Sequence, residues 1–252
     1  MTYLTAPMDP RFRVELIAQT PNPQKVIYAA MHQDYSHEFV ALSTDFDWPE
    51  NETKAGEICI KRLLVGERGH YGPLEHPQIT LNAGWFPHSV MQQARTHRVG
   101  VSFDVQSFRY TSENIIRATA WDSEIDLEDV FYLRPLGVYD NRQGKKYEYT
   151  KTQRIRDLDH CHNAAKLYLQ NISEGMAEEQ ARGILPFDYR QHFVVSFTLR
   201  AFLHFLDLRA KMDAQLEIRQ LCELMWPHLE AWAPEVAEWY KATRYGKARL
   251  AP

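Results

Sequence analysis

The stretch Gln92-Gln93-Ala94-Arg95-Thr96-His97-Arg98-Val99-Gly100-Val101-Ser102-Phe103-Asp104-Val105-Gln106-Ser107-Phe108-Arg109-Tyr110 sets three arginines, a histidine and two serines within nineteen residues, against a single acid, Asp104. Read as a helix, its first part puts Arg95, Arg98 and Ser102 on one face, because steps of three and four residues return to the same side. Ser107-Phe108-Arg109 alternates polar and apolar, as an extended segment does. The pattern predicts a helix end running into an extended loop, with cationic and hydroxyl donors converging. Such donors suit phosphate oxygens and other polar acceptors on a nucleotide. Residue types alone leave a second reading equally open, a solvated basic helix end.

Composition narrows the choice. The chain has 252 residues, 44 % of them apolar, and a net charge of −4. A chain of this length is expected to form one large domain or a tightly joined pair, and to bury roughly 70–75 % of its extended surface. An acidic total offers no bulk attraction to nucleic acid, so the local basic patch suits a small anionic ligand better than a polyanion. Cys59, Cys161 and Cys222 are odd in number and far apart, which argues against a disulfide framework and for a reducing compartment. They show no metal-ligand spacing. Met1 to Pro10 has neither a basic nor an apolar signal region, and no apolar run reaches the roughly 18 residues of a membrane span. The expectation is a cytoplasmic protein without a membrane anchor.

Along the chain, Phe12 to Ala18 alternates as a strand, and Asn22-Pro23 starts a helix that carries Val26, Ile27 and Ala30 on one side. A second helix is expected from Thr53, burying Ile58, Cys59, Leu63 and the stem of Arg62, with Gly66 and Gly69 ending it. His70-Tyr71-Gly72-Pro73-Leu74-Glu75-His76 is a turn bounded by histidines. Ile79 to Ala83 is a strand, and Pro87 opens the helix that ends in Arg95–Arg98. Residues 113–144 lack periodicity and are read as a long loop with short elements, a variable insertion. Tyr147 to Ile172 is a long amphipathic helix, with Ile155, Leu158, Cys161, Ala165 and Tyr168 near one face and Gly175 past its end. Met176 to Arg182 is a short helix, and His192 to Thr198, rich in β formers, is a strand. Thr198 caps the next helix, and Asp213 caps another that runs to Met225 with Ile218, Leu221, Cys222 and Met225 inward.

Arg182, Arg200, His204 and Arg209 form a second polar group. Arg200 and Arg209 are nine residues apart, about 900° on a straight helix, so they point in opposite directions. Both serve one ligand only if the helix breaks between them, near Asp207, or if sites form between subunits. An i,i+4 polar stripe, Arg200 with His204, is the plainer alternative.

Two motifs resemble those of the flavin-dependent thymidylate synthases. Their signature sets Arg-His-Arg, seven residues, Ser, one residue, Arg. Here the triplet is opened to Arg95-Thr96-His97-Arg98, eight residues precede Ser107, and Val105 stands where an acid is expected, beside Asp104. The turn at His70–His76 resembles the family's His-x-Thr-Pro-x-Glu-His, with Gly72 in the threonine position. From Arg182 to Ile218, Ala-Arg-x-x-Leu-Pro, then Arg200, Phe205-Leu206-x-Leu208-Arg209-Ala210 and Ala214-Gln215-x-Glu217-Ile218, follow the family's C-terminal half without a gap. Thr198 and His204 replace frequent asparagines, and Asp213 a common histidine. The resemblance covers roughly Phe12 to Met225 in order.

The resemblance implies an α+β fold, a small mainly antiparallel sheet flanked by helices, in a single domain spanning 1–252. It implies conversion of dUMP to dTMP with methylenetetrahydrofolate and with NADPH-reduced FAD, without an enzyme nucleophile, in a homotetramer with sites between subunits. Carried over residue by residue, dUMP binding falls to Gln92, Arg95, Gln106, Ser107, Arg109, Arg182 and Arg209. FAD binding falls to Gly72, Arg95, His97, Arg98, Arg200, His204 and Leu208. Arg209 is the catalytic choice, a guanidinium at the uracil edge that stabilises the N3 anion. No Gly-x-Gly-x-x-Gly fingerprint occurs, since Gly66, Gly69 and Gly72 have the wrong spacing; FAD needs another route than a dinucleotide-binding βαβ unit. A nucleotide- or RNA-binding module using Arg95–Arg109 with nearby aromatics is the rival reading. A Ser107-dependent transferase is a weaker one, since the sequence names no base beside that serine.

Overall fold

The computed structural model describes residues 7–43, 47–66, 70–120, 125–140 and 144–247. Its strands are β1 (Arg13–Gln19), β2 (Gln78–Pro87), β3 (Val101–Val105), β4 (Gly137–Asp140), β5 (Lys146–Tyr149) and β6 (Arg190–Thr198). Its helices are α1 (Pro23–Gln33), α2 (Glu52–Cys59), α3 (His88–Ala94), α4 (Phe108–Thr111), α5 (Glu113–Ala118), α6 (Leu127–Val130), α7 (Lys151–Ser173), α8 (Glu178–Ala181), α9 (Leu199–Arg209), α10 (Leu216–Trp232) and α11 (Pro234–Thr243). The fold is α+β with a small antiparallel sheet. Four strands lie in the order β1-β2-β6-β3, and β4 pairs with β5 as a separate antiparallel hairpin. Among the described residues, no helix is long and apolar enough to cross a membrane.

The chain gathers into two compact units. One takes in Ala83–Ala94 and Asp104–Phe193 with the chain up to Arg13; the other takes in Val14–Asn82, Arg95–Phe103 and the chain from Val194. The first is built on α7. Thr150 and Gln153 form a reciprocal capping box at its start. Its buried side, Cys161, Ala165 and Tyr168, packs with Phe108, Ile115, Val130, Phe131 and Ala181. In the second unit α9 is apolar almost all round, with Leu199, Ala201, Phe202, Leu203, Phe205 and Leu206 buried, as suits a helix covered on every side. Thr198 caps it through a bond from the Ala201 N–H to its hydroxyl oxygen, 3.2 Å.

Several boundaries differ from the sequence reading, each for a visible reason. The helix expected to carry Arg95 and Arg98 ends at Ala94, so these residues and Ser102 do not share a helical face. Thr96 turns its hydroxyl to Arg209, and Gly100 adopts φ +66°, where a Cβ would lie 2.6 Å from Thr198 Oγ1. Pro87 closes β2 instead of opening a helix, and Arg109 sits in the short α4 instead of an extended segment. Asn22, with φ 49°, makes no side-chain cap; the Glu52 carboxylate accepts from the Gln24 and Lys25 N–H groups in its place. Val26 and Ala30 are only half-buried beside buried Ile27, and Arg62 is exposed. Residues 60–64 widen into a π turn that buries Leu63 and Leu64, and Gly66 follows at φ +80°; Gly69 lies outside the described residues. The long helix starts at Lys151, because Tyr147 pairs opposite Tyr139 in the β4–β5 hairpin. Ile155 on that helix is 51 % exposed.

Helix α9 does not break near Asp207. That carboxylate is buried and accepts from the Tyr240 hydroxyl at 2.7 Å and from Arg244 at 2.9 Å, so it is satisfied within the helix. Asp213 is exposed; α10 begins at Leu216 and continues through Pro227 to Trp232. Ile218, Leu221, Cys222 and Met225 are buried, as their spacing predicts.

Candidate active site

Among the expected nucleotide ligands in the first unit, Gln92 and Arg182 lie near a residue that sequence reasoning missed, Tyr189. Its ring stacks on His88 at 4.8 Å, and His88 Nε2 pairs with the Gln92 amide. Phe108, between Ser107 and Arg109, meets the same ring edge-on at 5.1 Å. Arg182 is close enough to act electrostatically on the Tyr189 phenol, whose pKa burial raises. Gln106 exchanges bonds with His192, through its backbone N–H to the His192 carbonyl at 2.9 Å and its Oε1 from the His192 N–H at 3.2 Å. Gln92 is thus tied to Tyr189 through His88 and Arg182 through its charge, while Gln106 lines a small pocket with Phe108, Tyr189 and His192. Ser107 precedes α4 in extended conformation, yet its hydroxyl caps nothing. Gln92, Arg109 and Arg182 are exposed, which leaves them open to a ligand.

The other two expected nucleotide ligands, Arg95 and Arg209, lie in the second unit with every expected FAD residue. Thr96, His97, Arg98, Val99, His204 and Leu208 line a cavity of about 260 Å³. His97 is 6 % exposed, faces the His204 ring edge-on at 5.3 Å and packs on Phe205 at 4.8 Å. Arg209 donates from Nε to His97 Nε2 at 3.0 Å and from Nη2 to Thr96 Oγ1 at 2.7 Å. Burial, then the Arg209 charge, then His204 push the His97 pKa down to about 4, so the ring is neutral near pH 7. Its one proton sits on Nδ1, because Nε2 accepts from Arg209. That nitrogen is buried and has no hydrogen-bond partner. Burial also lowers the pKa of His204.

Arg200 lies at the far end of α9 from Arg209. Its guanidinium pairs with Glu75 Oε1 at 2.9 Å and lies over the Tyr71 ring at 5.9 Å. Glu75 also accepts from the Thr198 hydroxyl at 3.4 Å, which seats the His70–His76 turn on the start of α9. Gly72 opens the 3₁₀ turn Gly72–Glu75, and a Cβ there would meet nothing within 4 Å. The glycine is thus not required by crowding. Glu75 was legible as the acid between the two histidines of that turn; Tyr189 and His88 carry no periodic signal.

Guanidinium and hydroxyl donors beside a cavity with a buried neutral histidine are the equipment of a nucleotide-handling enzyme. The comparisons name the family. The family model described as "Thymidylate synthase complementing protein" matches residues 15–235. The chain is 32 % identical to the flavin-dependent thymidylate synthase of Haloarcula marismortui over 95 % of this chain and 99 % of that one. It is equally similar to that of Halobacterium salinarum, over 95 % and 100 %. In fold it resembles a UMP/dUMP methylase from Streptomyces cacaoi, solved with 5-Br dUMP, with a TM-score of 0.71 at 21 % identity over 95 % of this chain and 97 % of that one. The chain belongs to the flavin-dependent thymidylate synthase family, a family of methyl-transferring enzymes.

Proposed function

We propose that the protein converts dUMP to dTMP, taking a methylene carbon from methylenetetrahydrofolate and reducing equivalents from NADPH through FAD, with no covalent enzyme nucleophile. The observation that carries this reading is the family match over residues 15–235, with Gln92 bonded to His88 and Arg182 acting on Tyr189 in the first unit as its support. Arginine forks and a hydroxyl hold the nucleotide phosphate. Arg209 holds its charge at the uracil edge, where it stabilises the anion left when N3 loses its proton. A well-placed donor of this kind contributes about 3–4 kcal/mol. Burial lowers the Arg209 pKa, but a guanidinium starts high enough to stay charged.

The residues present fit FAD. His97 Nδ1–H is a buried donor without a protein partner, on a residue lining the cavity with Arg98, His204 and Leu208. Arg95 and Arg98 bind its phosphates, His97 donates to an acceptor on it, and Leu208 and Val99 cover apolar surface. When bound, FAD supplies the hydride. A cavity of about 260 Å³ encloses part of such a ligand. Full small-molecule sites run to about 300–1,000 Å³, and the proposed homotetramer completes the site with neighbouring subunits.

The test is incubation of purified protein with dUMP, methylenetetrahydrofolate, FAD and NADPH, followed by assay for dTMP. The expected result is dTMP formation by a yellow protein that sediments as four chains. A colourless monomer that makes no dTMP overturns the reading.

A further inference from the structure

His88 holds a place in the first unit that the scheme above leaves without a role. Its ring is fixed from two sides, stacked on Tyr189 at 4.8 Å and edge-on to Phe187 at 5.2 Å. Its backbone N–H donates to the Tyr189 carbonyl at 3.0 Å. Both ring nitrogens are engaged: Nδ1 with Gln191 Oε1 at 2.7 Å, and Nε2 with Gln92 Nε2 at 2.6 Å. Gln191 is 5 % exposed, and its own NH₂ points to the Tyr189 hydroxyl at 3.4 Å, which leaves its carbonyl for the imidazole.

This order has a polarity. A neutral imidazole has one N–H and one lone pair. Because Gln191 offers an acceptor, the proton sits on Nδ1. Nε2 must then accept, and the partner that donates to it is the NH₂ of Gln92. The Gln92 carbonyl is thereby turned away from His88, on an exposed side chain. Gln92 therefore presents an acceptor. Phosphate oxygens are acceptors too and gain nothing from it. The sugar of a deoxynucleotide offers one hydroxyl donor, at C3′.

Resting on the dUMP reading above, we infer that His88 is a positioning residue that turns Gln92 into the acceptor for the nucleotide 3′-hydroxyl, not a donor to its phosphate.

The test compares three ligands by calorimetry: dUMP, 2′,3′-dideoxyuridine monophosphate and deoxyuridine. With the unaltered protein at pH 8, dUMP binds about three- to tenfold more tightly than the dideoxy analogue, the value of one hydrogen bond. His88→Phe keeps a ring on Tyr189 but has no nitrogen; its ratio falls to near one, while the preference for dUMP over deoxyuridine is unchanged. Gln92→Leu, which leaves His88 stacked on Tyr189, brings the ratio to near one as well, and this second variant stands if His88→Phe misfolds. A ratio unchanged in His88→Phe, or a ratio of one in the unaltered protein at pH 8, overturns this inference alone. Failure of the unaltered protein to bind dUMP at all overturns the functional reading and this inference with it.

Discussion

Arg209 is held by the signature it serves. Its Nε donates to His97 Nε2 at 3.0 Å and its Nη2 to Thr96 Oγ1 at 2.7 Å, across more than a hundred residues of sequence. Two bonds from one planar fork fix the direction of the guanidinium, and a lysine ammonium cannot make both in that geometry. Arg209→Lys is expected to fold and retain flavin but to form dTMP about 10²- to 10³-fold more slowly. Turnover together with flavin stoichiometry checks this; a near-normal rate removes Arg209 from the catalytic role.

The burial of His97, with the Arg209 charge beside it, sets an acid limit. His97 is folded with a pKa of about 4, against an ordinary value of 6.5. The unfolded chain therefore binds the proton more readily than the folded one. Stability is full above about pH 6.5, falls as pH drops, and has lost this contribution below about pH 4. The loss is on the order of 3 kcal/mol. Denaturant midpoints between pH 8 and pH 4 measure it, and His97→Gln flattens that part of the profile. An equal slope in the variant rules out His97 as its source.

In the proposed reading Ser107 binds phosphate and is not a nucleophile. Its hydroxyl makes no capping bond, although it stands at the N-cap position of α4. Ser107→Ala is expected to weaken dUMP binding roughly 10- to 150-fold, the loss of one hydrogen bond to a charged group. Turnover at saturating dUMP remains measurable. Lost turnover with unchanged affinity contradicts the binding role.

The three cysteines are poor nucleophiles for the same physical reason. All are buried, and burial pushes Cys59 up to about 12, Cys161 up to about 11 and Cys222 higher still. Thiolate is scarce at such values. A variant with all three changed to Ala or Ser, once shown to fold and bind FAD, is expected to make dTMP. If it makes none and one restored cysteine restores activity, the uracil is activated covalently after all.

What the sequence disclosed follows from range. Alternation found β1, β-forming composition found β6, and helical spacing found the buried residues of α10 and part of those of α7, because these depend on neighbours two to four residues away. Capping chemistry found Thr198 but failed at Asn22, whose capping task is taken by Glu52 from another helix. Helix α3 ends early for reasons that lie at Arg209 and Thr198, far along the chain. The site residues came from motif order, yet their organisers did not. Tyr189 and His88 act through stacking and a side-chain relay, which leave no repeat in the sequence. Asp9, in a segment marked only by what it lacked, belongs to the same category.

Asp9 leads to the last prediction. Its carboxylate accepts from Arg190 Nη2 at 2.6 Å, and the two side chains are 4 % and 2 % exposed. Arg190 also donates to the Glu128 carbonyl at 2.5 Å and the Trp85 carbonyl at 2.8 Å, with its guanidinium over the Tyr132 ring. Trp85 has φ +63° within β2, a conformation that an L side chain adopts at a cost of about 1–2 kcal/mol. The bond to its carbonyl and the edge contact of its ring with His192 at 4.6 Å hold it there. Removing the guanidinium strands a buried carboxylate and two carbonyls at once. Arg190→Met is therefore expected to destabilise the protein by about 3–5 kcal/mol. The double change Asp9→Leu with Arg190→Met leaves no orphaned charge, so its cost is expected to be smaller than that of Arg190→Met alone. Denaturant unfolding of the two variants and of Asp9→Leu measures the coupling. If the double variant is less stable than Arg190→Met, the ion pair is not what Arg190 is held for, and its bonds to Trp85 and Glu128 carry the effect instead.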